Sequence, residues 1–592
     1  ATTAQNFQTS VEESLDKRGG KNFGPANGKS LTIFVDDISL PEINEWGDQP
    51  TNEIVRQLVE SGCFAFLDKD KRGDMKICED LVFLTAMTHP GGGRSDIPQR
   101  LKRHFMVLNM TPPSIECIND IYGQILVGRF RKHPAGKGEG SVVTKLTSAT
   151  IDLWKLTRSK LKSTPAKFHY NFTMRDLSRI FQGVVRISDE TSIIDTGDAR
   201  RTMLKAGVVL IRVLRHECER VFCDKLTNIS DKDWYLEAFQ RVAVEHFGPE
   251  LANAAGDPEN YFVDFLQEDN IDEDGVLISK APQHYELGGA LVTIKSRCLA
   301  YMEQHNIANP TSKLGLVLFD DALRHLMRIS RIIQMPRGSA LLVGVGGSGK
   351  RSLTRLATFM SGHKLFQIRM TKSYNLANFG DDLKTCFFHA GGQPNQIVLI
   401  LADTQIKYET FLEYLNSLLL TGDVPGLFSK EELALAMAEV QDDFEKEMSL
   451  VGKPTTSEDL KRYLVDKVRD RLHVVLCMSP AHPDFSTRAR RFPGIFSACS
   501  INWFLSWPRD ALVSVATALV GDQMESLECT PDEKTALLEH MGEVHTMAVA
   551  LCDEYKRKTR RMRVHQTPKS YLSFLSDYRA MYTTKLGEVK QK

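Results

Sequence analysis

Ala340-Leu341-Leu342-Val343 is an apolar run of strand length that leads straight into Gly344-Val345-Gly346-Gly347-Ser348-Gly349-Lys350. Arg351-Ser352-Leu353-Thr354-Arg355-Leu356-Ala357 follows with helical spacing. A strand entering a helix through such a turn constrains the fold more than any other stretch of the chain. Small residues let the main-chain N–H groups of Gly346 to Lys350 wrap phosphate oxygens at a helix N-terminus. The Lys350 ammonium then reaches the β- and γ-phosphates of a nucleotide. A ligand-free strand-to-helix turn does not need the lysine. Residues 344–352 therefore predict a P-loop in an α/β domain.

One residue departs from that pattern. The position after the lysine ordinarily carries Ser or Thr, whose hydroxyl ligates Mg²⁺. Arg351 stands there and cannot ligate a cation, while Ser352, one position on, is expected to point elsewhere on the helix. The site is expected to hold nucleotide and to handle metal poorly.

A second acidic strand should complete such a module. Gln396 to Ala402 is apolar and ends at Asp403, a carboxylate placed to hold the outer shell of Mg²⁺. Thr404 follows where hydrolysing enzymes carry Glu, and threonine is no general base at neutral pH. Glu409 and Glu413 are expected on a solvated or salt-bridged helix face. A third strand, Leu472 to Ser479, ends in a hydroxyl that either senses the γ-phosphate or caps the strand. Arg488, Arg490 and Arg491 then precede Phe492-Pro493-Gly494, either as fingers reaching a neighbouring nucleotide or as a surface cluster.

The N-terminal part repeats this grammar. Leu31 to Val35 runs into Asp36 and Asp37, Leu81 to Thr88 forms the companion strand, and Arg100 and Arg103 follow. Lys350 and Asp403 lie 53 positions apart, and the same interval counted back from Asp36 falls before residue 1. The sequence thus predicts two copies of one unit, the first beginning upstream. Gly24 to Ser30 is a decoy, one residue short of a P-loop and ahead of a strand. His216-Glu217-Cys218-Glu219-Arg220 lacks the second histidine of a zinc helix and reads as a charged helix face.

Composition excludes some classes. At 592 residues the chain exceeds one core, and 75 basic against 75 acidic residues disfavour a dedicated nucleic-acid binder. Eleven cysteines without CxxC pairs suggest reduced thiols, and no apolar run reaches membrane-spanning length. Residues 144–270 read as helical, with Arg175 and Arg179 one turn apart, where Arg175 either aims at a nucleotide or sits on an amphipathic helix. Glu268 to Gly275 reads as a linker or hairpin. Leu316 to Phe319 forms an apolar wall for a base or simply core. Residues 427–463 read as a charged insertion with a solvated face, and a helix continues past Pro568.

The motifs together resemble the motor region of axonemal dynein heavy chains, across almost the whole chain. Carrying the resemblance are Asp36-Asp37, Ile43 to Gln49 (Ile-Asn-Glu-Trp-Gly-Asp-Gln), Pro90 to Arg94, Ile97 to Arg103 and Met174 to Gly183. In the second copy they are Gly338 to Lys350, Phe411 to Leu415, Trp507-Pro508-Arg509 and Thr567 to Leu572. The Asn44 to Gln49 and Ile97 to Arg103 runs look most like gamma-type outer-arm chains.

That resemblance implies an α/β fold of tandem AAA+ modules, the third and fourth of a six-module ring. Each would pair a parallel-sheet large domain with a helical small domain. The implied division is 1–140 and 141–285 for the third module's large and small domains, the latter with a linker. It continues as 286–505 and 506–567 for the fourth, then 568–592 for the start of a coiled-coil stalk. It implies ATP or ADP as ligand, with Mg²⁺ near Asp36 and Asp403. Asp37 would act catalytically in place of Glu, and Thr88, Ser479, Arg175 and Lys569 would be phosphate sensors. Arg490 or Arg491 would face the third module's nucleotide, and Arg100 or Arg103 the second module's.

Implied partners are microtubules through a stalk tip outside this chain, other heavy, intermediate and light chains, and a docking complex in the ciliary or flagellar axoneme. No nucleic-acid or membrane partner is expected. A working ATPase and a non-hydrolysing clamp compete for the Lys350 site, and Thr404 favours the clamp. Another tandem AAA+ remodeller is the alternative outside the family, against which Thr567 to Tyr571 argues.

Overall fold

The computed structural model describes all residues except 1–2, 42, 67–68, 72, 90–94, 137–140, 190–198, 257–258, 269, 272–276, 280–282, 452–455, 526–529, 560–565 and 591–592. The Pro90 to Arg94 motif therefore lies outside the described residues.

Leu31–Val35 (β1) and Leu81–Thr85 (β2) pair in parallel, beside a four-stranded sheet built from residues 16–24, 63–65 and 75–78. Both strands alternate half-buried and exposed residues, so the pair is covered on one face. Gly24 to Ser30 forms a strand end and a short 3-10 turn ahead of β1, as expected of the decoy.

A helical core follows. It gathers residues of Met174–Val184 (α1), Ala199–Cys218 (α2) and Ile229–Phe247 (α3) with Leu146, Trp154 and Phe222. The helix Ile115–Arg129 joins this core through Ile118, Tyr122 and Leu126, although the sequence division places it in the preceding α/β unit. Its apolar residues recur every four positions, which gives a buried helical stripe and not a strand. Of the Glu268 to Gly275 run, Asn270–Ile271 pairs antiparallel with Leu277–Ser279, and residues 269 and 272–275 lie outside the described residues.

The second α/β unit opens with Asp320–Ile333 (α4), whose apolar residues recur at helical spacing. Ala340–Val343 (β3) leads to Lys350–Met360 (α5), then Lys364–Gln367 (β4) and Ile397–Ala402 (β5). Glu409–Thr421 (α6), Leu472–Met478 (β6), Phe485–Arg491 (α7) and Ser500–Trp503 (β7) complete it. The sheet is wholly parallel in the order β4-β5-β6-β3-β7. β3, β5 and β6 are buried at every residue, which is why they read as unbroken apolar runs. The β5–β6 pair corresponds in the repeat to β1–β2, each an acid-ending strand beside a polar-ending one.

The charged insertion is helical with a solvated face, as expected, and carries a buried face as well. Lys430–Val451 and Ser457–Arg471 bury Ala436, Val440, Phe444, Leu464 and Val468. The first three recur every four residues, a stripe that the dense charges on the other face obscure. Pro568–Lys590 (α8) differs from a free-standing stalk. Its first turns bury Tyr571 and Leu575 against Leu512, Val515 and Met541 of the C-terminal helices, and the Tyr571 hydroxyl donates to Leu512 O at 3.0 Å.

The helical core meets the second α/β unit along one seam. His169 stacks on Trp503 with ring centroids 4.7 Å apart, and Phe168 packs on Phe485 and Phe496. Arg179 donates to the carbonyls of Ser497 and Ala498, and Arg328 pairs with Asp224 at 3.1 Å. The Glu217 carboxylate is buried against Arg331 of α4, so the face read as a charged helix face is an interface. No helix among the described residues is long and apolar enough to cross a membrane.

Candidate functional site: a P-loop cleft at the strand ends

Parallel sheets bind ligands beyond the carboxyl ends of their strands. The turns after β3, β5, β6 and β7 meet there around a cavity of about 590 Å³. Gly347 and Gly349 have φ of +84° and +83°, a left-handed backbone that favours glycine. Gly344 has no room for a Cβ, which would lie 2.7 Å from Phe504 Cβ. At Gly347 a Cβ would run into the Lys569 backbone, so the first turn of α8 rests on the loop.

Lys350 folds onto its own loop. Its Nζ donates to Gly344 O at 2.5 Å, Val345 O at 2.8 Å and Ser348 Oγ at 3.1 Å. Burial holds its ammonium below the usual lysine range, with Arg351 pushing the same way against Cys477 and Asp403. Phosphate oxygens would be better acceptors for this charge than the neutral carbonyls it now holds.

Asp403 stands opposite. Its Oδ2 accepts from Ser479 N at 2.5 Å, which locks the ends of β5 and β6 together. Its Oδ1 is buried without a hydrogen-bond partner among the described residues. That orphaned oxygen suits a cation or an ordered water. The rest of a magnesium site is missing, because Arg351 occupies the hydroxyl position and extends Nη2 to within 3.4 Å of Thr404 Oγ1. The two departures from the P-loop pattern thus touch each other. Ser352, expected to turn away, lines the cavity instead.

Gln405 accepts from Ala402 N at 2.9 Å and donates to Ile368 O at 3.0 Å, a role in holding strand ends. Glu409 accepts from both Nε and Nη2 of Arg488, at 3.0 and 2.9 Å. Arg488 is buried by that pairing, whereas Arg490 and Arg491 are exposed on α7. Ser479 lines the cavity. Leu316, Val317 and Phe319 line it too, while Leu318 is core, so the 316–319 run divides between the two roles foreseen for it.

The remaining candidates lie apart from this cleft. Asp36 is exposed, and Asp37 has φ of +51° at the end of β1. Thr88 is exposed beyond β2. Arg100 donates to Glu53 at 2.8 Å and Arg103 to Glu60 at 2.5 Å. Arg175 donates to Ser497 Oγ at 3.2 Å, across the seam. Lys569 meets the P-loop through its backbone, its side chain being exposed. His216 is buried and bonded to Asn260 O, and no metal-binding group of His, Cys, Asp or Glu occurs among the described residues.

Among the lining residues that escaped the sequence reading are Lys232, His325 and Arg328. Lys232 comes from α3, in the preceding helical unit. Burial and then Arg328 lower its pKa. His325 stacks on Phe504 at 3.8 Å, bonds Asn502 at 2.9 Å, and is held well below the usual histidine range by burial. All three sit on helices with ordinary amphipathic spacing, so no local signal marks them.

A five-stranded parallel sheet with a P-loop after β3 and the acid-ending strand β5 one strand removed from it defines an AAA+-type nucleotide-binding module, in tandem with a second. Family models agree in finer detail. Residues 314–581 match "P-loop containing dynein motor region D4", residues 1–113 "P-loop containing dynein motor region", and residues 129–232 "Dynein heavy chain, ATPase lid domain". The whole chain aligns at 41% identity with mouse dynein axonemal heavy chain 5 and human dynein axonemal heavy chain 8. It aligns at 40% with the gamma chain of the flagellar outer arm of Chlamydomonas reinhardtii. The chain belongs to the dynein heavy-chain family. It spans 12–13% of the length of these relatives.

Proposed function

We propose that this chain forms the third and fourth AAA+ modules of an axonemal outer-arm dynein motor ring, of gamma type. The Gly344–Lys350 site is a nucleotide-held regulatory element that binds ATP or ADP with little turnover. The observation that carries this reading is the pairing of an intact phosphate loop and Lys350 with Thr404 in the place of a catalytic base. A positioned base is worth about 10²–10⁴ in rate, so its loss lowers turnover far more than binding.

In this reading Asp36 and Asp37 serve the first module's own nucleotide, together with Thr88 and Arg175. Arg490 and Arg491, exposed on α7, are the fingers that reach it. Arg100 and Arg103 play that part for a preceding module, and Lys569 and Ser479 sense phosphate in the second. Contact between the α8 backbone and Gly347 supports a direct path from nucleotide to stalk. The whole motor would walk on microtubules by ATP hydrolysis, alongside other dynein chains and a docking complex in the cilium or flagellum.

The test is nucleotide retention. After desalting, wild-type chain should retain nucleotide that Lys350→Ala does not. Equal retention by both proteins would refute the assignment of the site.

A further inference from the structure

The phosphate end of the cleft carries an unusual set of charges. Lys350 and Arg351 are cations, and Asp403 is the carboxylate between them, so the set sums to a single positive charge. A P-loop with its metal has lysine, a divalent ion, aspartate and glutamate, which sum to the same value. Here the loss of the hydroxyl, the loss of the glutamate and the gain of a guanidinium leave that sum intact with no metal. Adding a divalent cation would place it beside two like charges without its customary hydroxyl ligand.

The geometry agrees with the charge count. Arg351 leaves the first turn of α5 and reaches Thr404, the residue after Asp403, from the position where a metal-ligating hydroxyl ordinarily stands. Thr404 Oγ1 is a neutral acceptor at 3.4 Å, so the guanidinium keeps its charge and most of its donors. A glutamate at that position would capture it. The two departures are therefore coupled: Arg351 is available to a phosphate because Thr404 is not acidic. A guanidinium presents a planar fork that binds phosphate oxygens in pairs.

Resting on the reading of the Gly344–Lys350 loop as a nucleotide site, we infer that this site takes a nucleoside di- or triphosphate free of Mg²⁺. Arg351 supplies the counter-charge that a metal ion supplies elsewhere. Arg351 is thus a specificity-determining residue: it selects the metal-free form of the ligand.

The test titrates the full chain with fluorescent ADP and ATP analogues in excess EDTA and in excess Mg²⁺. Wild-type affinity is expected to be higher in EDTA by about tenfold or more, because excess Mg²⁺ in solution competes for the free nucleotide. Arg351→Thr should lose about tenfold or more in EDTA and regain much of it with Mg²⁺, while Arg351→Lys should keep a preference for EDTA. Manganese paramagnetic resonance on nucleotide-loaded wild type needs no variant, and no protein-held Mn²⁺ is expected. Wild-type binding that is no tighter in EDTA than in Mg²⁺ would overturn the inference while leaving the nucleotide site standing. Ordered Mn²⁺ in the loaded site, or an Arg351→Thr variant that binds like wild type in EDTA, would do the same. No binding in either buffer would remove the nucleotide reading itself.

Discussion

Glu217→Leu should damage the seam between the first helical unit and the second α/β unit more than any surface change could. Glu217 is fully buried at 0% exposure and Arg331 is 6% exposed. The carboxylate accepts from Arg331 Nε at 3.0 Å, from Arg331 Nη2, and from the Tyr285 hydroxyl at 2.5 Å. One side chain of α2 thus satisfies donors from α4 and from the segment between the units. Removing one partner of a buried ion pair costs roughly 3–5 kcal/mol, because the other charge is left without compensation. Orphaning the Tyr285 hydroxyl adds about 1–3 kcal/mol, less than fully additively. Glu217→Leu should therefore cost on the order of 4–6 kcal/mol. Arg331→Met in the same chain removes the stranded cation, and an apolar replacement of a buried pair is often near neutral. The double variant should recover at least about 2 kcal/mol relative to the sum of the singles. Urea unfolding of all four proteins measures the cycle, and hydrogen exchange on α2 and α4 reads the seam itself, since several domains need not unfold together. A loss below about 1 kcal/mol for Glu217→Leu, or strict additivity in the double variant, would refute the reasoning.

Three further outcomes follow from the geometry. Gly347→Ala combines a left-handed φ of +84° with a collision against the α8 backbone, so it should weaken nucleotide binding and lower the melting temperature; a titration matching wild type would contradict it. Burial, the largest cause in each case, pushes the imidazoles of His169, His363 and His473 down to about 4 from 6.5. Their unfolded forms take up protons first, so stability is intact above about pH 6.5 and falls as pH drops toward about 4, by up to roughly 3 kcal/mol per histidine; urea midpoints that stay flat across that window would refute this. Arg351→Thr combined with Thr404→Glu restores a hydroxyl ligand and a base, and Mg²⁺-dependent turnover at this site should rise about 10²-fold or more; an unchanged single-turnover rate would show that something else limits the chemistry.

Much of this was legible in the chain. β3, β5 and β6 announced themselves as apolar runs because both faces of a parallel sheet are covered, and the P-loop glycines because only they accept the left-handed backbone at 347 and 349. What stayed hidden depends on residues distant in sequence. Glu217 reads as surface charge until Arg331, 114 positions away, is seen against it. Glu409 is expected on a solvated or salt-bridged face, and only the distant Arg488 decides between the two. Lys232 enters the cleft from another domain, and nothing nearby in the sequence signals that reach. The stripe of Ala436, Val440 and Phe444 was masked by a high charge density on the same helix.

The most direct test is a single-turnover assay of the Gly344–Lys350 site, with labelled ATP bound to the full chain and to Lys350→Ala. ATP that is bound by wild type, lost in Lys350→Ala and left uncleaved above the rate in that control would establish a regulatory nucleotide clamp. Mg²⁺-dependent cleavage that disappears in Lys350→Ala would contradict it. Another group would then be supplying the base that Thr404 lacks and the metal ligand that Arg351 displaces.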